Sequence, residues 1–231
     1  MGYFFDSSYL ILIPALIIAA YAQYKVSSTF NKYSKVLSSS GFSGADAARY
    51  LLDAAGLNNI PIEIIGGKLS DHYDPSSKVM RLSKEVYYST SVASIGVAAH
   101  ETGHAIQHSE GYAPLNIRNS IVPAVNFASS ASWIIFLLGI VFFHSTMLIN
   151  LGIFLFLFVV IFQLITLPVE FNASNRALNY LEQNRILDSN EINGARSVLR
   201  AAAMTYVAAT LTAIAQLVRL ILLSQSSRRR D

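Results

Sequence analysis

The chain concentrates its histidines in one short segment. Three of the five histidines lie in VAAHETGHAIQH, residues 97–108, and His100, Glu101 and His104 form the pattern H-E-x-x-H. On a helix this spacing places both imidazoles on one face, where their ring nitrogens can hold one zinc ion. Glu101 lies beside that pair and can take a proton from a water at the metal. The segment therefore predicts one Zn²⁺ and hydrolysis, with Glu101 as the general base.

Two histidines leave a catalytic zinc one protein ligand short. His108 repeats the spacing, but a further turn carries it along the helix axis and away from the metal, and the glycine-containing bend of metzincins is absent. A role as a hydrogen-bond partner or at the interface is favoured for it. Glu170 directly follows a long uncharged segment. If that segment returns the chain to the membrane face that carries His100 and His104, the Glu170 carboxylate completes the site.

The composition indicates a membrane protein. Hydrophobic residues make up 53% of the 231 residues and charged residues only 13%, against about 25% charged in soluble domains. The net charge of +3 comes partly from the arginines at 228–230, so nucleic-acid binding has little support. The absence of cysteine excludes a disulfide framework and a thiolate metal site.

Apolar segments predict where the chain crosses the bilayer. Residues 121–169 contain no Asp, Glu, Lys or Arg, and this length predicts a helical hairpin of two spans. Residues 9–22 predict a first span. Residues 20–22 resemble a signal-peptidase site, but no basic segment precedes them, so a retained span is favoured. Residues 201–223 are apolar but contain Arg219, and they span the bilayer, lie at its surface or pack inside the protein.

The segment between the first span and the hairpin has the signals of a small folded region. Ser43 begins a capping box and a helix. Residues 60–65 and 79–82 predict strands, with a turn at 71–77, and residues 90–91 cap the helix that carries the histidines. We therefore expect a mainly α integral membrane protein with a zincin-like HExxH helix, a small antiparallel β-sheet and a transmembrane helical hairpin.

These signals divide the chain into five parts. Residues 1–23 form the N-terminal transmembrane span, and 24–120 form the zincin-like catalytic region. Residues 121–169 are the transmembrane hairpin. Residues 170–200 hold the third-ligand helix and the start of the next helix. Residues 201–231 form an apolar helix, spanning or interfacial, with a basic tail.

The basic residues predict the orientation. Lys25, Lys32 and Lys35 follow the first span, whereas Asp6 is the only charge before it. The positive-inside rule then places the N-terminus outside and the catalytic region in the cytoplasm. If residues 201–223 also cross, the basic tail lies outside, against the same rule.

Four segments resemble the YugP-like membrane zinc metallopeptidases, and the resemblance extends along nearly the whole chain. They are AAHETGHAIQH at 98–108, YAPLNIRNSIVPA at 112–124, LPVEFNASNRAL at 167–178 and AAAMTYVAATL at 201–211. The chain is more distantly similar to the HtpX and CAAX-prenyl endopeptidase group, in which a glutamate supplies the third ligand.

The resemblance implies His100, His104 and Glu170 as zinc ligands and Glu101 as the base. It implies a membrane metalloendopeptidase. With the orientation predicted from the lysines, we expect it in the bacterial plasma membrane with its active site facing the cytoplasm. Membrane proximity suggests a peptide or a membrane protein near the bilayer surface as substrate.

Two positions depart from the family patterns. Ser174 stands where the distant group has an aspartate that orients a ligand histidine, and Asn172 stands where YugP-like sequences usually have aspartate. Both are candidate hydrogen-bond partners of the ligands. Candidate donors to the oxyanion or the substrate are His72, Tyr112 and Arg176.

A second class of protein fits the same motif. A membrane scaffold or chaperone-like protein could use zinc only to stabilise its fold, without proteolysis. The intact Glu101 favours the enzyme, because a structural zinc site does not need a general base.

Overall fold

The computed structural model describes residues 7–228. Asp6 and the predicted basic tail at 229 and 230 lie outside the described residues. The elements, in chain order, are a 3₁₀ turn Ser7–Ile11, α1 Leu12–Tyr33, α2 Gly44–Ala54, β1 Ile62–Ile65, β2 His72–Asp74, β3 Val79–Ser83, α3 Lys84–Tyr88, α4 Val92–Ser109, α5 Ala113–Leu137, a π-helical turn Leu138–Phe142, α6 Thr146–Gln183 and α7 Ser189–Arg228.

Within the described residues, four helices are long and apolar enough to cross a membrane. They lie at Ser8–Tyr33, Ala113–Phe142, Thr146–Gln183 and Ser189–Gln225. The prediction of a mainly α membrane protein is confirmed. The stretch 201–223, left open by its sequence, lies in the last of these helices.

The chain divides into two compact units. The first, called here the membrane unit, comprises the described parts of residues 1–22, 117–167 and 205–231. Its hairpin helices approach closely at Gly152, where a Cβ would lie 2.8 Å from the Cβ of Phe136. Small residues at such crossings let transmembrane helices pack tightly. The apolar core consists of Phe136, Ile140, Ile149, Phe156, Val160, Ala213 and Leu220.

The second unit, called here the site unit, comprises residues 23–116 and 168–204. The predicted capping box is present, since the Ser43 hydroxyl accepts the backbone N–H of Asp46 and the Asp46 carboxylate accepts that of Ser43. The core of this unit packs α2 and α4 against α6 and α7. Its buried apolar residues include Leu51, Ile95, Leu181 and Leu199.

The prediction of an antiparallel sheet was wrong, because the three strands form a mixed sheet in the order β1-β3-β2. Strand β1 pairs with β3 in parallel, with Ile62 opposite Met80. Strand β2 pairs with β3 antiparallel, with Tyr73 opposite Met80. The short strand β2 lies inside the segment predicted as a turn, and it forms the hairpin with β3. Because β3 is the central strand, its second edge pairs with β1, which runs in the same direction as β3.

Candidate metal centre

Helix α4 carries the histidine pair. It begins after Ser91, whose side chain accepts the backbone N–H of Ser94, as the sequence predicted for residues 90–91. The rings of His100 and His104 lie edge to face with their centroids 4.7 Å apart. Both Nε2 atoms point the same way, because the four-residue spacing places them on one face of the helix.

Glu170 faces this pair from helix α6. Its Oε2 lies 3.3 Å from Nε2 of His100 and 3.5 Å from Nε2 of His104. The ligand atoms of the three residues lie within 4.8 Å of one another, and Glu170 is only 3% exposed. Two imidazole nitrogens and one carboxylate oxygen match the His₂Glu set of catalytic zinc sites, which keep a fourth position open. The residues therefore fit a zinc ion.

Gln107 fixes the tautomer of His104. Its Nε2 donates to the carbonyl oxygen of Val169 and to Oδ1 of Asn172, both at 2.9 Å. Its Oε1 therefore faces Nδ1 of His104 at 3.0 Å and accepts a hydrogen bond from it. With the proton on Nδ1, the lone pair of His104 lies on Nε2, toward Glu170.

This hydrogen-bond chain continues along α6. Asn172 Oδ1 also accepts from Nε of Arg176 at 2.7 Å. The Arg176 guanidinium pairs with Glu110 at 2.7 Å and lies 6.0 Å from the ring centroid of Tyr112. Asn172 thus contacts Gln107, the hydrogen-bond partner of His104. Arg176 and Tyr112, both predicted to contact the substrate, contact each other.

Ser174 lies beside the other histidine. Its hydroxyl is 3.2 Å from Nδ1 of His100. The Ser174 hydroxyl can accept a hydrogen bond from the Nδ1–H of His100. In that tautomer the free lone pair of His100 lies on Nε2. Each histidine thus has a hydrogen-bond partner on the nitrogen that faces away from Glu170, and such partners orient metal-binding imidazoles.

Glu101 is buried next to the histidine pair, with 7% of its surface exposed. Its Oε2 accepts the backbone N–H of Tyr73 at 3.0 Å. The pKa of Glu101 is raised to about 7, chiefly by burial; the carboxylates of Glu170 and Asp71 also raise it, whereas His100 and the Tyr73 N–H lower it. The carboxyl group therefore has a proton affinity suited to exchange near neutral pH.

Strand β2 positions the Tyr73 N–H. At its start, the Asp71 carboxylate accepts from the backbone N–H and the hydroxyl of Ser83, at 2.7 and 3.0 Å. At its end, Asp74 pairs with Arg81 at 3.1 Å. These contacts fix β2 against β3, so the mixed sheet holds a donor on the carboxylate of Glu101.

His108 and His72, the other two histidines predicted to act at the site, contact groups other than the three candidate ligands. Nδ1 of His108 lies 2.9 Å from the hydroxyl of Tyr73, and His108 is not in the cluster formed by the three candidate ligands. Nδ1 of His72 lies 2.8 Å from the carbonyl oxygen of Ser70. His108 therefore supports the strand that contacts Glu101.

Sequence reasoning missed Gln107 and Tyr73. Gln107 follows His104 by three residues, a helical spacing at which side chains meet. Its contact with His104 could therefore have been predicted from the sequence. The Tyr73 contact was not, because it uses a backbone N–H on a strand that the sequence pattern did not reveal.

Fold and site together define a mainly α membrane protein with a His-His-Glu group that could hold a metal ion. The chain belongs to the family described as "Putative neutral zinc metallopeptidase", whose family model matches residues 8–225. It is 50% identical over 216 residues to the "Putative membrane protease YugP" of Bacillus subtilis (strain 168), a match that covers 94% of this chain and 96% of that protein. No solved structure matches the chain significantly. The predicted resemblance is confirmed.

Proposed function

We propose that this protein is a zinc-dependent metalloendopeptidase that hydrolyses peptide bonds close to the membrane surface. The observation that carries the proposal is the convergence of His100, His104 and Glu170 within 4.8 Å, with the buried carboxylate of Glu101 beside them. A purely structural site has no use for that carboxylate.

When bound, zinc would polarise the scissile carbonyl and lower the pKa of a water towards neutrality. His100, His104 and Glu170 would hold the metal, and Gln107 and Ser174 would keep the two imidazoles in the required tautomer. Glu101 takes the proton of the attacking water and passes it to the leaving amine. The backbone N–H of Tyr73 donates to Oε2 of Glu101. The other carboxylate oxygen, Oε1, is therefore the one that accepts the proton from water.

Of the three predicted substrate contacts, His72 has the most suitable surroundings. It is half-buried on β2 next to Tyr73, whereas Arg176 is paired with Glu110. Its proposed role is to contact the substrate through Nε2, because Nδ1 donates to the carbonyl oxygen of Ser70. The substrates proposed are peptides or membrane proteins, because the site unit adjoins membrane-spanning helices along the chain.

Metal removal tests this proposal. We expect the purified protein in detergent to cleave an unstructured reporter peptide, to stop after treatment with a chelator, and to recover with about one equivalent of Zn²⁺ per chain. Cleavage that continues at full rate after the zinc is removed would contradict a zinc mechanism.

We further propose that the site unit faces the cytoplasm of a bacterial cell, with the protein in the plasma membrane. The support is the set of basic residues Lys25, Lys32 and Lys35 after the first apolar segment. The orientation can be tested cleanly, since the chain has no native cysteine. Single Lys35→Cys and Ser77→Cys variants should react with an impermeant maleimide only after lysis.

The hairpin turn provides the matched control. Ser145 lies between the ends of the two hairpin helices, so Ser145→Cys should react in intact cells. Labelling of positions 35 and 77 in intact cells, with position 145 protected, would reverse the proposed orientation.

A further inference from the structure

Helices α1 and α7 line a half-open cavity that takes no part in the proposed chemistry. Its volume is about 330 Å³. The two helices meet closely beside it, since a Cβ on Gly194 would lie 2.9 Å from the ring of Tyr33. The cavity is lined by Lys25, Thr29, Lys32, Tyr33, Ser197, Arg200, Ala201 and Met204.

The cavity is strongly basic. Lys25 and Lys32 are seven residues apart on α1 and so lie on one face, and Arg200 approaches from α7. All three are exposed at the rim. None of the described residues that line the cavity is acidic. Within residues 7–228, no salt bridge involves these three cations, so their charge is available to a ligand.

Hydroxyl groups and apolar atoms complete the lining. Thr29 is 9% exposed, and Tyr33 presents its ring 5.1 Å from Nζ of Lys32. A phosphate group has several acceptor oxygens, which suit a combination of cations and hydroxyl donors. Ala201 and Met204 add apolar surface, which a free phosphate ion does not use.

The sequence around the cavity places it at a membrane boundary. On α1 the apolar segment 9–22 ends shortly before Lys25, and on α7 the apolar segment 201–223 begins directly after Arg200. Both helices therefore change from apolar to charged at the cavity. Lipid phosphates lie at this level, and basic pockets between transmembrane helices bind anionic headgroups.

We propose that the cavity between α1 and α7 binds the phosphate headgroup of an anionic phospholipid. The three cations contact the phosphate oxygens. Ala201 and Met204 contact the start of the acyl chains. The cavity shares no lining residue with the proposed metal centre.

Native mass spectrometry of the full chain in detergent tests the proposal, with phosphatidylglycerol and phosphatidylcholine as probes. We expect the wild type to retain phosphatidylglycerol preferentially. The double variant Lys32→Gln/Arg200→Gln should lose that preference by roughly tenfold or more, because each basic residue near an anionic headgroup contributes about 1 kcal/mol. The charge-matched control Lys78→Gln/Lys84→Gln removes two lysines outside the cavity and should bind as the wild type.

Either of two binding results would overturn the proposal. One is equal phosphatidylglycerol binding by the wild type and the Lys32→Gln/Arg200→Gln variant. The other is complete displacement of the lipid by millimolar inorganic phosphate, which would mean a site for a free anion. A photoactivatable phosphatidylglycerol tests the wild type without any substitution. Its cross-links should map to residues 25–33 and 197–204, and cross-links confined to other segments would contradict the assignment.

Discussion

Gly103 of α4 packs directly against the backbone of Ala173 on α6. A Cβ on Gly103 would lie 2.5 Å from the Ala173 carbonyl oxygen and 3.2 Å from its Cα. Gly103 immediately precedes His104, and Ala173 lies three residues after Glu170. The contact therefore sets the distance between the helix that carries both histidines and the helix that carries the glutamate.

Gly103→Ala is expected to move the two helices apart. Overpacking a tight contact costs roughly 1–3 kcal/mol of folding free energy, and a displacement of about 1 Å at a catalytic site costs roughly 10²-fold in rate. We expect weaker zinc binding and a lower kcat/KM, measured by metal titration and peptide cleavage. Gly66→Ala is the control, because a Cβ there meets nothing within 4 Å. Wild-type zinc affinity in Gly103→Ala would show that this contact does not set the site.

Gln107→Ala is expected to weaken zinc binding by roughly 10–100-fold, the usual effect of removing a partner of a metal-binding histidine. The substitution removes the acceptor for Nδ1 of His104 and leaves the Val169 carbonyl without its side-chain donor. Metal competition with a chromophoric chelator measures the effect. The control is Gln183→Ala, an exposed glutamine at the end of α6. Equal zinc affinity in Gln107→Ala and Gln183→Ala would show that Gln107 does not support the metal site.

Glu170→Ala is expected to lower both zinc occupancy and peptide cleavage. Loss of the carboxylate leaves two imidazoles, which bind zinc more weakly and orient it poorly. Glu182→Ala removes an exposed carboxylate from the same helix and should change neither quantity. If Glu170→Ala kept full zinc and normal cleavage, the third ligand would have to be another residue.

The sequence predicted the parts of the site that depend on local pattern. The HExxH spacing, the cap at Ser91 and the glutamate after the uncharged segment were readable, and the structure brings His100, His104 and Glu170 together. The metal-binding roles of these residues stay predictions. The sheet was less readable, because the three-residue strand β2 is too short to show alternation and its segment carries turn residues.

Long-range contacts were the least predictable features. The Gly103 contact with Ala173 joins residues far apart in the chain, and a glycine in a helix has many explanations. The Gln107 contacts with Val169 and Asn172 depend on the same helix crossing. Residue type alone does not show which helices cross, so these features required the structure.

The most direct test of the account compares zinc content and peptide cleavage in the wild type and Glu101→Gln. The substituted side chain keeps an oxygen that can accept the Tyr73 N–H, so the fold and the zinc should be retained. Turnover should fall by roughly 10²–10⁴-fold, the usual contribution of a general base, while Glu182→Gln should cleave normally. Cleavage at the wild-type rate by Glu101→Gln would contradict the proposed base, and one zinc per wild-type chain without any cleavage would favour the scaffold.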